Sequence, residues 1–376
     1  MIRKIPVATP FMGGKELEYV EECIRTTWVS SAGHFITDFE KEFAKKTKTK
    51  YAVTVANGTA ALHVALLALD IGPGDEVILP ALTFVSTANA VAFTGATVVF
   101  ADVDPHSWAI DPNDITKKIT KKTKAIIPVH LYGYPADLRT INKIAKKHNL
   151  YVVEDAAEAH GATVDGKPVG SIGTVGCFSF YGNKIITTGE GGMITCNSKK
   201  LRDKMMLIKS HGTSPKKRYW HPIIGYNYRM TNLQAALGLA QLHQLNAFLK
   251  KRNEIAKKYR NLIKNIKGIT PMPLSTQTTK GVCWIFSALI SEDFGISRDR
   301  LMKKLSEKGI ETRPFFIPLH LLPMYNKKER FPVSERISAQ GINLPTSVEL
   351  TDSDIEYVVS SIKESQPKKY KNSASK

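Results

Sequence analysis

Lys184 stands in a setting that suits few lysines. It follows Cys177-Phe178-Ser179-Phe180-Tyr181-Gly182-Asn183 and precedes the turn Ile185-Ile186-Thr187-Thr188-Gly189-Glu190-Gly191-Gly192, with few charged neighbours to keep it solvated. Desolvation lowers an amine's pKa, and the neutral amine is the form that makes a Schiff base with a carbonyl. A second segment, Val152-Val153-Glu154-Asp155-Ala156-Ala157-Glu158-Ala159-His160-Gly161, reads as a strand ending in acids. Such acids sit at the carboxyl edge of a parallel sheet, where open α/β folds bind ligands, and the alanines after Asp155 leave room for something flat. Taken alone, Asp155 is equally a strand-end residue capping the next turn. A third segment, Ala56-Asn57-Gly58-Thr59-Ala60-Ala61-Leu62, leaves a strand and opens a helix. Free backbone N–H groups there, with a Thr hydroxyl beside them, form an anion seat, although an ordinary Asn N-cap with a Gly turn gives the same letters.

Together these segments supply an anion site, a strand-end carboxylate and a desolvated amine. Pyridoxal phosphate needs all three: a seat for its phosphate, a carboxylate for its ring nitrogen and a lysine for its aldehyde. The chain has neither a Walker A motif nor GxGxxG, which disfavours nucleotide hydrolysis and a standard dinucleotide site.

The elements that must position these residues follow from the hydrophobic pattern. Residues 51–55, 76–79, 97–101, 125–130 and 151–154 read as short β-branched strands, alternating with helical stretches at 58–69, 83–93 and 138–148. That alternation predicts a mostly parallel sheet with helices on both faces. Two further strands, 175–181 and 192–196, are separated by the Gly-rich Lys184 loop instead of a helix. A helical lead-in covers 15–26 and 36–46, and a long helix covers 232–266, with a break in apolar phase near Leu245. Strands at 283–290 and 309–312 flank a helix at 298–308. The expected organisation is a large α/β domain at 1–245, a small C-terminal α+β domain at 246–366, and a polar tail at 367–376.

Composition removes other classes. With 376 residues, 43% apolar, 23% charged, 25 Gly and 19 Pro, the chain is neither collagen-like nor extensively disordered. The net charge of +19 raises a polyanion partner, but 40 Lys against 13 Arg, scattered along the chain, reads as solvated faces more than as a nucleic-acid surface. Cys23, Cys177, Cys196 and Cys283 include no CxxC pair, so neither a disulfide scaffold nor a metal site is expected and a reduced cytoplasmic setting is. The first residues lack a signal-peptide pattern, and no run reaches the length of a membrane span.

The same motifs, with Ile5-Pro6-Val7-Ala8-Thr9-Pro10, Gly225-Tyr226-Asn227-Tyr228-Arg229-Met230 and Arg313-Pro314-Phe315-Phe316-Ile317-Pro318-Leu319-His320, resemble the DegT/StrS family of nucleotide-sugar aminotransferases over nearly the whole chain. The resemblance implies the α/β fold-type-I pyridoxal phosphate-dependent architecture, a mostly parallel seven-stranded sheet flanked by helices. It implies that Lys184 carries the Schiff base, Asp155 pairs with the ring nitrogen and Glu158 faces the ring hydroxyl. Gly58, Thr59 and Ser179 would hold the phosphate, Phe84 would stack on the ring, and Asn227 of the partner subunit would reach the phosphate across a homodimer. Many members carry Gln where Glu158 stands, so Glu158 marks a subgroup. Related dehydratases replace the lysine with His; retention of Lys184 favours transamination.

The implied donor is L-glutamate and the implied acceptor a nucleotide-linked 4-keto-6-deoxyhexose, GDP-4-keto-6-deoxymannose giving GDP-perosamine ahead of a UDP- or dTDP-linked sugar. Arg218, Trp220, Arg229, Arg313 and His320 are candidate substrate contacts. For Trp220 the competing role is a surface loop, and for His320 domain packing. A dehydratase using pyridoxamine phosphate, and a cofactor-binding regulator that reads nucleic acid, are the other readings. Intact Lys184 and the lack of a helix-turn-helix domain argue against the regulator.

Overall fold

The structure is a computed structural model that describes residues 4–326 and 328–367. The tail expected at 367–376 therefore lies, beyond its first residue, outside the described residues. Seven strands build the main sheet: β1 (Tyr51–Val55), β2 (Glu76–Pro80), β3 (Thr97–Ala101), β4 (Thr123–Ile126), β5 (Tyr151–Asp155), β6 (Val175–Ser179) and β7 (Gly192–Cys196). Their spatial order is β1-β7-β6-β5-β4-β2-β3. Only β7 runs against the rest, pairing antiparallel with β1 and with β6. Its reversal goes with the Lys184 connection, residues 180–191, which forms no helix, whereas a parallel return usually runs through a crossover helix.

Helices cover both faces. The helix Gly58–Ala68 starts where Asn57 Oδ1 accepts from Ala60 N at 2.9 Å, and almost its whole circumference is apolar and buried. On the other face His34–Thr47 presents Phe35, Phe39 and Phe43 at helical spacing, and Phe43 meets Phe178 edge-on at 4.9 Å. The helix Leu138–His148 is capped by Asp137, buries Leu138, Ile141 and Ala145, and stops at Asn149 in the left-handed region, φ 55°.

The C-terminal part has its own four-stranded sheet, in the order Ile269–Pro271, Phe286–Ile290, Gly341–Leu344, Arg313–Pro314. The helices Arg298–Glu307 and Asp352–Ser365 lie with it around a separate core that includes Phe286, Phe294, Ile342 and Val358. Joining the two parts is one helix, Asn232–Ile263, opened by a capping box between Thr231 and Gln234. It continues without interruption through the expected boundary at 245/246. The change of apolar phase near Leu245 is a change of partner: Ala235 to Phe248 pack into the core beside the main sheet, Ile255 to Ile263 into the C-terminal core.

Some local expectations differ. The strand expected at 125–130 ends at Ile126, because Pro128 has no N–H to donate to a ladder. Residues 309–312 form no strand; Ile310 makes an isolated parallel bridge to Ile5. The strand Gly341–Leu344 was not expected at all. Among the described residues no helix is long and apolar enough to cross a membrane, and the four cysteines are free and buried.

Candidate active site

The carboxyl ends of β1, β2, β5 and β6 open onto a cavity of about 920 Å³. Gly58, Thr59, Phe84, Asp155, Glu158, Ser179, Lys184 and Arg313 all line it. The sheet edge thus collects residues far apart in the chain.

Asp155, the last residue of β5, is buried. Thr87 Oγ1 donates to its Oδ2 at 2.8 Å, and the Ala157 N–H to its Oδ1 at 3.2 Å. Burial pushes its carboxyl above the ordinary range, and these donors with nearby Lys184 pull the other way. A buried carboxylate with two fixed donors and one open side suits a cationic ring nitrogen. Across the cavity Lys184 Nζ lies 3.4 Å from Glu158 Oε1. Burial lowers the lysine's pKa, countered by Glu158 and Asp155, while the same burial raises that of Glu158. The other oxygen of Glu158 accepts from the Tyr132 N–H at 2.7 Å, and Tyr132 takes a left-handed φ of 53° to present it.

At the start of the helix Gly58–Ala68, Thr59 Oγ1 donates to Ser86 Oγ at 2.9 Å, and Ser179 Oγ accepts from the Tyr181 N–H at 3.3 Å. Three hydroxyls and a helix N-terminus share one end of the cavity, a donor set suited to a phosphate. Gly58 is required for the fit: a Cβ there would meet the Ser179 Cβ at 2.8 Å. Phe84 lies half-exposed against Phe316, centroids 5.5 Å apart. The cavity offers a buried amine, a buried carboxylate and a phosphate seat; the residues present fit pyridoxal phosphate.

Beneath the site is a buried network. Glu154 Oε1 accepts from the N–H groups of Ile172 at 2.8 Å and Gly173 at 2.6 Å, and Oε2 from Gly170 N at 2.7 Å and His130 Nε2 at 3.2 Å. Because His130 Nδ1 accepts from Ala136 N at 3.1 Å, the ring is the Nε2–H tautomer. The backbone N–H of His130 donates to the Asp155 carbonyl at 3.1 Å. Glu154 therefore fixes both the strand end that carries Asp155 and the turn that carries Tyr132.

The remaining candidates lie elsewhere. Asn227 is outside this cavity wall, its Oδ1 taken by Arg229 Nε at 3.1 Å. Arg229 Nη2 also meets His211 Nε2 at 3.3 Å. Arg218 and Trp220 occupy an exposed loop, Arg218 stacked over Tyr219 and Lys217 over Trp220. His320 is fully buried, donating from Nε2 to Glu335 Oε1 at 3.2 Å and packing edge-on against Phe331, so its ring reaches neither cavity nor solvent. That corrects the expectation of a sugar contact: the ring packs beneath the Glu335 turn.

Thr87, Tyr132 and Trp284 belong to the site and were missed in the sequence. Thr87 lies in the first turn of the helix Ser86–Phe93, three positions past Phe84, and nothing in its residue type marks it. Nothing local marks Tyr132 or Trp284.

Comparison with known proteins agrees with this geometry. Residues 10–363 match the DegT/DnrJ/EryC1/StrS aminotransferase family. The chain is 46% identical to the GDP-perosamine synthase of Escherichia coli O157:H7, covering 96% of this chain and 99% of that one. It is also 46% identical to the GDP-perosamine synthase of Caulobacter vibrioides, covering 96% and 97%. An aminotransferase structure from Psychrobacter cryohalolentis superposes with a TM-score of 0.89 at 35% identity, covering 95% of this chain and 97% of that one. The chain belongs to the DegT/DnrJ/EryC1/StrS aminotransferase family.

Proposed function

We propose that this protein is a pyridoxal phosphate-dependent aminotransferase that moves the amino group of L-glutamate to C4 of GDP-4-keto-6-deoxymannose, giving GDP-perosamine for glycan synthesis. The observation that carries the reading is the buried Lys184 amine facing Glu158, in a cavity whose floor is the Asp155 carboxylate. The GDP-linked sugar rests on the two relatives at 46% identity; a UDP- or dTDP-linked 4-keto sugar has no comparable support.

Bound in this cavity, pyridoxal phosphate supplies an aldehyde that captures amines and a ring that accepts the electrons left when a proton departs from the neighbouring carbon. The chain supplies the rest. Asp155, steadied by Thr87, holds a negative charge where the ring nitrogen must stay protonated. Gly58, Thr59 and Ser179 anchor the phosphate end, and Phe84 flanks the ring. Lys184, when free, takes a proton at Nζ from one carbon and returns it to another, and its burial keeps the neutral base accessible. Glu158 Oε1 accepts from the lysine amine. With Arg313 in its wall, the cavity offers a cation to an anionic substrate.

The working unit is a homodimer in the cytoplasm, with Asn227 of the partner subunit completing the phosphate site. Asn227 lies outside its own cavity and Ile224, three residues earlier, is 89% exposed, which supports a contact between copies. Arg218, Trp220 and Arg229 share that exposed segment and would meet the nucleotide bound in the neighbouring copy.

The test incubates protein, pyridoxal phosphate and L-glutamate with GDP-4-keto-6-deoxymannose, and separately with the dTDP- and UDP-linked 4-keto-6-deoxyglucoses. Mass spectrometry should show an amino sugar from the GDP substrate and 2-oxoglutarate in equal amount. An amino sugar formed only from another nucleotide overturns the substrate, and loss of a hydroxyl without gain of nitrogen overturns the reaction class.

A further inference from the structure

Lys184 Nζ rests between two groups of different kinds. On one side is the Glu158 carboxylate, and on the other the Trp284 ring, whose centroid is 3.8 Å away. Trp284 comes from the segment leading into the C-terminal sheet and is buried. It is held at both ends. Its indole Nε1–H donates to the carbonyl of Asn183, the residue before Lys184, at 2.7 Å. Its own carbonyl accepts from the buried Arg252 Nη1 at 2.6 Å, and Arg252 reaches the Thr346 carbonyl at 2.9 Å from the same nitrogen. Tyr132 lies nearly parallel to the indole, 6.2 Å between centroids, and its N–H holds Glu158. One indole thus fixes the lysine loop through its edge and faces the amine with its π surface.

An indole face attracts a cation within about 6 Å, more strongly where water is excluded. In the reaction proposed above, Lys184 must leave the cofactor and return to it in every cycle. We infer that Trp284 and Glu158 together form the resting place of the released lysine: Trp284 is a positioning residue that steadies Nζ near the reacting carbons as the ammonium it becomes on taking a proton, until that proton is returned. This inference rests on Lys184 being the reactive amine. The titratable groups around Nζ are Glu158 and Asp155 on the cavity side and His160 behind β6. Both acids favour the charged amine and burial opposes it; the indole is the neutral partner that adds to the first without adding charge.

The test titrates Lys184 in cofactor-free protein. The rate of reductive methylation of the Lys184 peptide, measured by mass spectrometry against pH, gives its apparent pKa in the wild type, Trp284→Phe and Trp284→Leu. The expected result is a fall of about one unit in Trp284→Leu, a tenfold loss of proton affinity, and a smaller fall in Trp284→Phe, which keeps a ring face. Replacement of tryptophan by mono-, di- and trifluorotryptophan keeps the shape and weakens the π face stepwise, so the apparent pKa should fall with each fluorine even if Trp284→Leu does not fold. An unchanged titration across the fluorinated series overturns the inference, as does a rise in Trp284→Leu. Borohydride reduction of the cofactor-loaded wild type, followed by peptide mapping, separately tests the reading beneath it: cofactor trapped on any residue other than Lys184 removes the reactive amine, whatever the titration shows.

Discussion

Replacing Glu154 with Gln probes the network under the site. Each carboxylate oxygen accepts two buried donors: Ile172 N and Gly173 N on Oε1, Gly170 N and His130 Nε2 on Oε2. A glutamine has one oxygen, so its amide nitrogen must face one of these pairs. His130 cannot relieve the conflict by changing tautomer, because its Nδ1 is committed to the Ala136 N–H. Two orphaned buried donors at about 1–3 kcal/mol each amount to about 4 kcal/mol. For a chain of this length, unfolding as a unit, that lowers the melting temperature by about 5 °C. Differential scanning calorimetry of the cofactor-free protein measures it. Excess pyridoxal phosphate should restore part of the loss, because a ligand that binds only the folded state stabilises it by mass action. A melting temperature within about 1 °C of the wild type would refute the reasoning, since it would mean that the loop 170–173 finds other acceptors at no cost.

Lys184→Ala should abolish both the visible absorption band of the loaded protein and any borohydride-stable adduct, read by spectrophotometry and intact mass; either one persisting would remove Lys184 from its role. Gly58→Ala should weaken cofactor binding about tenfold or more, since a Cβ 2.8 Å from Ser179 must push the cradle open, and titration of the cofactor absorbance reads the change. The bidentate Arg330 guanidinium holds the Glu335 carboxyl down at about 2, helped by the Phe331 N–H and His320. A depressed carboxyl stabilises the fold above its unfolded value near 4.5 and loses that contribution as the pH falls toward 2. Wild type should therefore melt above Glu335→Gln at pH 6, with the gap closing between pH 4.5 and 2; a gap that widens on acidification would show the sign to be wrong.

What the sequence made legible was local. Asp155 and Glu158 declare themselves because a strand with acids at its end must place them at the sheet edge, and Asn57-Gly58-Thr59 because a helix start is written in its cap. Lys184 stood out through its apolar neighbours alone. The contacts that complete the site cross the chain: Trp284 meets Asn183 from 101 residues away, and Lys184 beside it. Tyr132 reaches Glu158 through a left-handed backbone that no residue type there requires. His320 misled because a histidine beside a proline-rich aromatic run reads the same whether it faces a ligand or packs over Phe331. The strand 341–344 was missed because Gly341-Ile342-Asn343-Leu344 is short and carries only two apolar side chains, too little to show a strand period.

The helix Asn232–Ile263 runs unbroken from one core into the other, and at 1.5 Å per residue it is a rod about 48 Å long. A single rigid shaft seated in two sockets leaves little freedom for the sockets to swing apart: opening the cleft would require drawing Ile255, Tyr259 and Ile263 out of one or Leu239 and Leu242 out of the other. That helix ties the part of the chain that carries the Asp155 floor to the part that carries the indole wall.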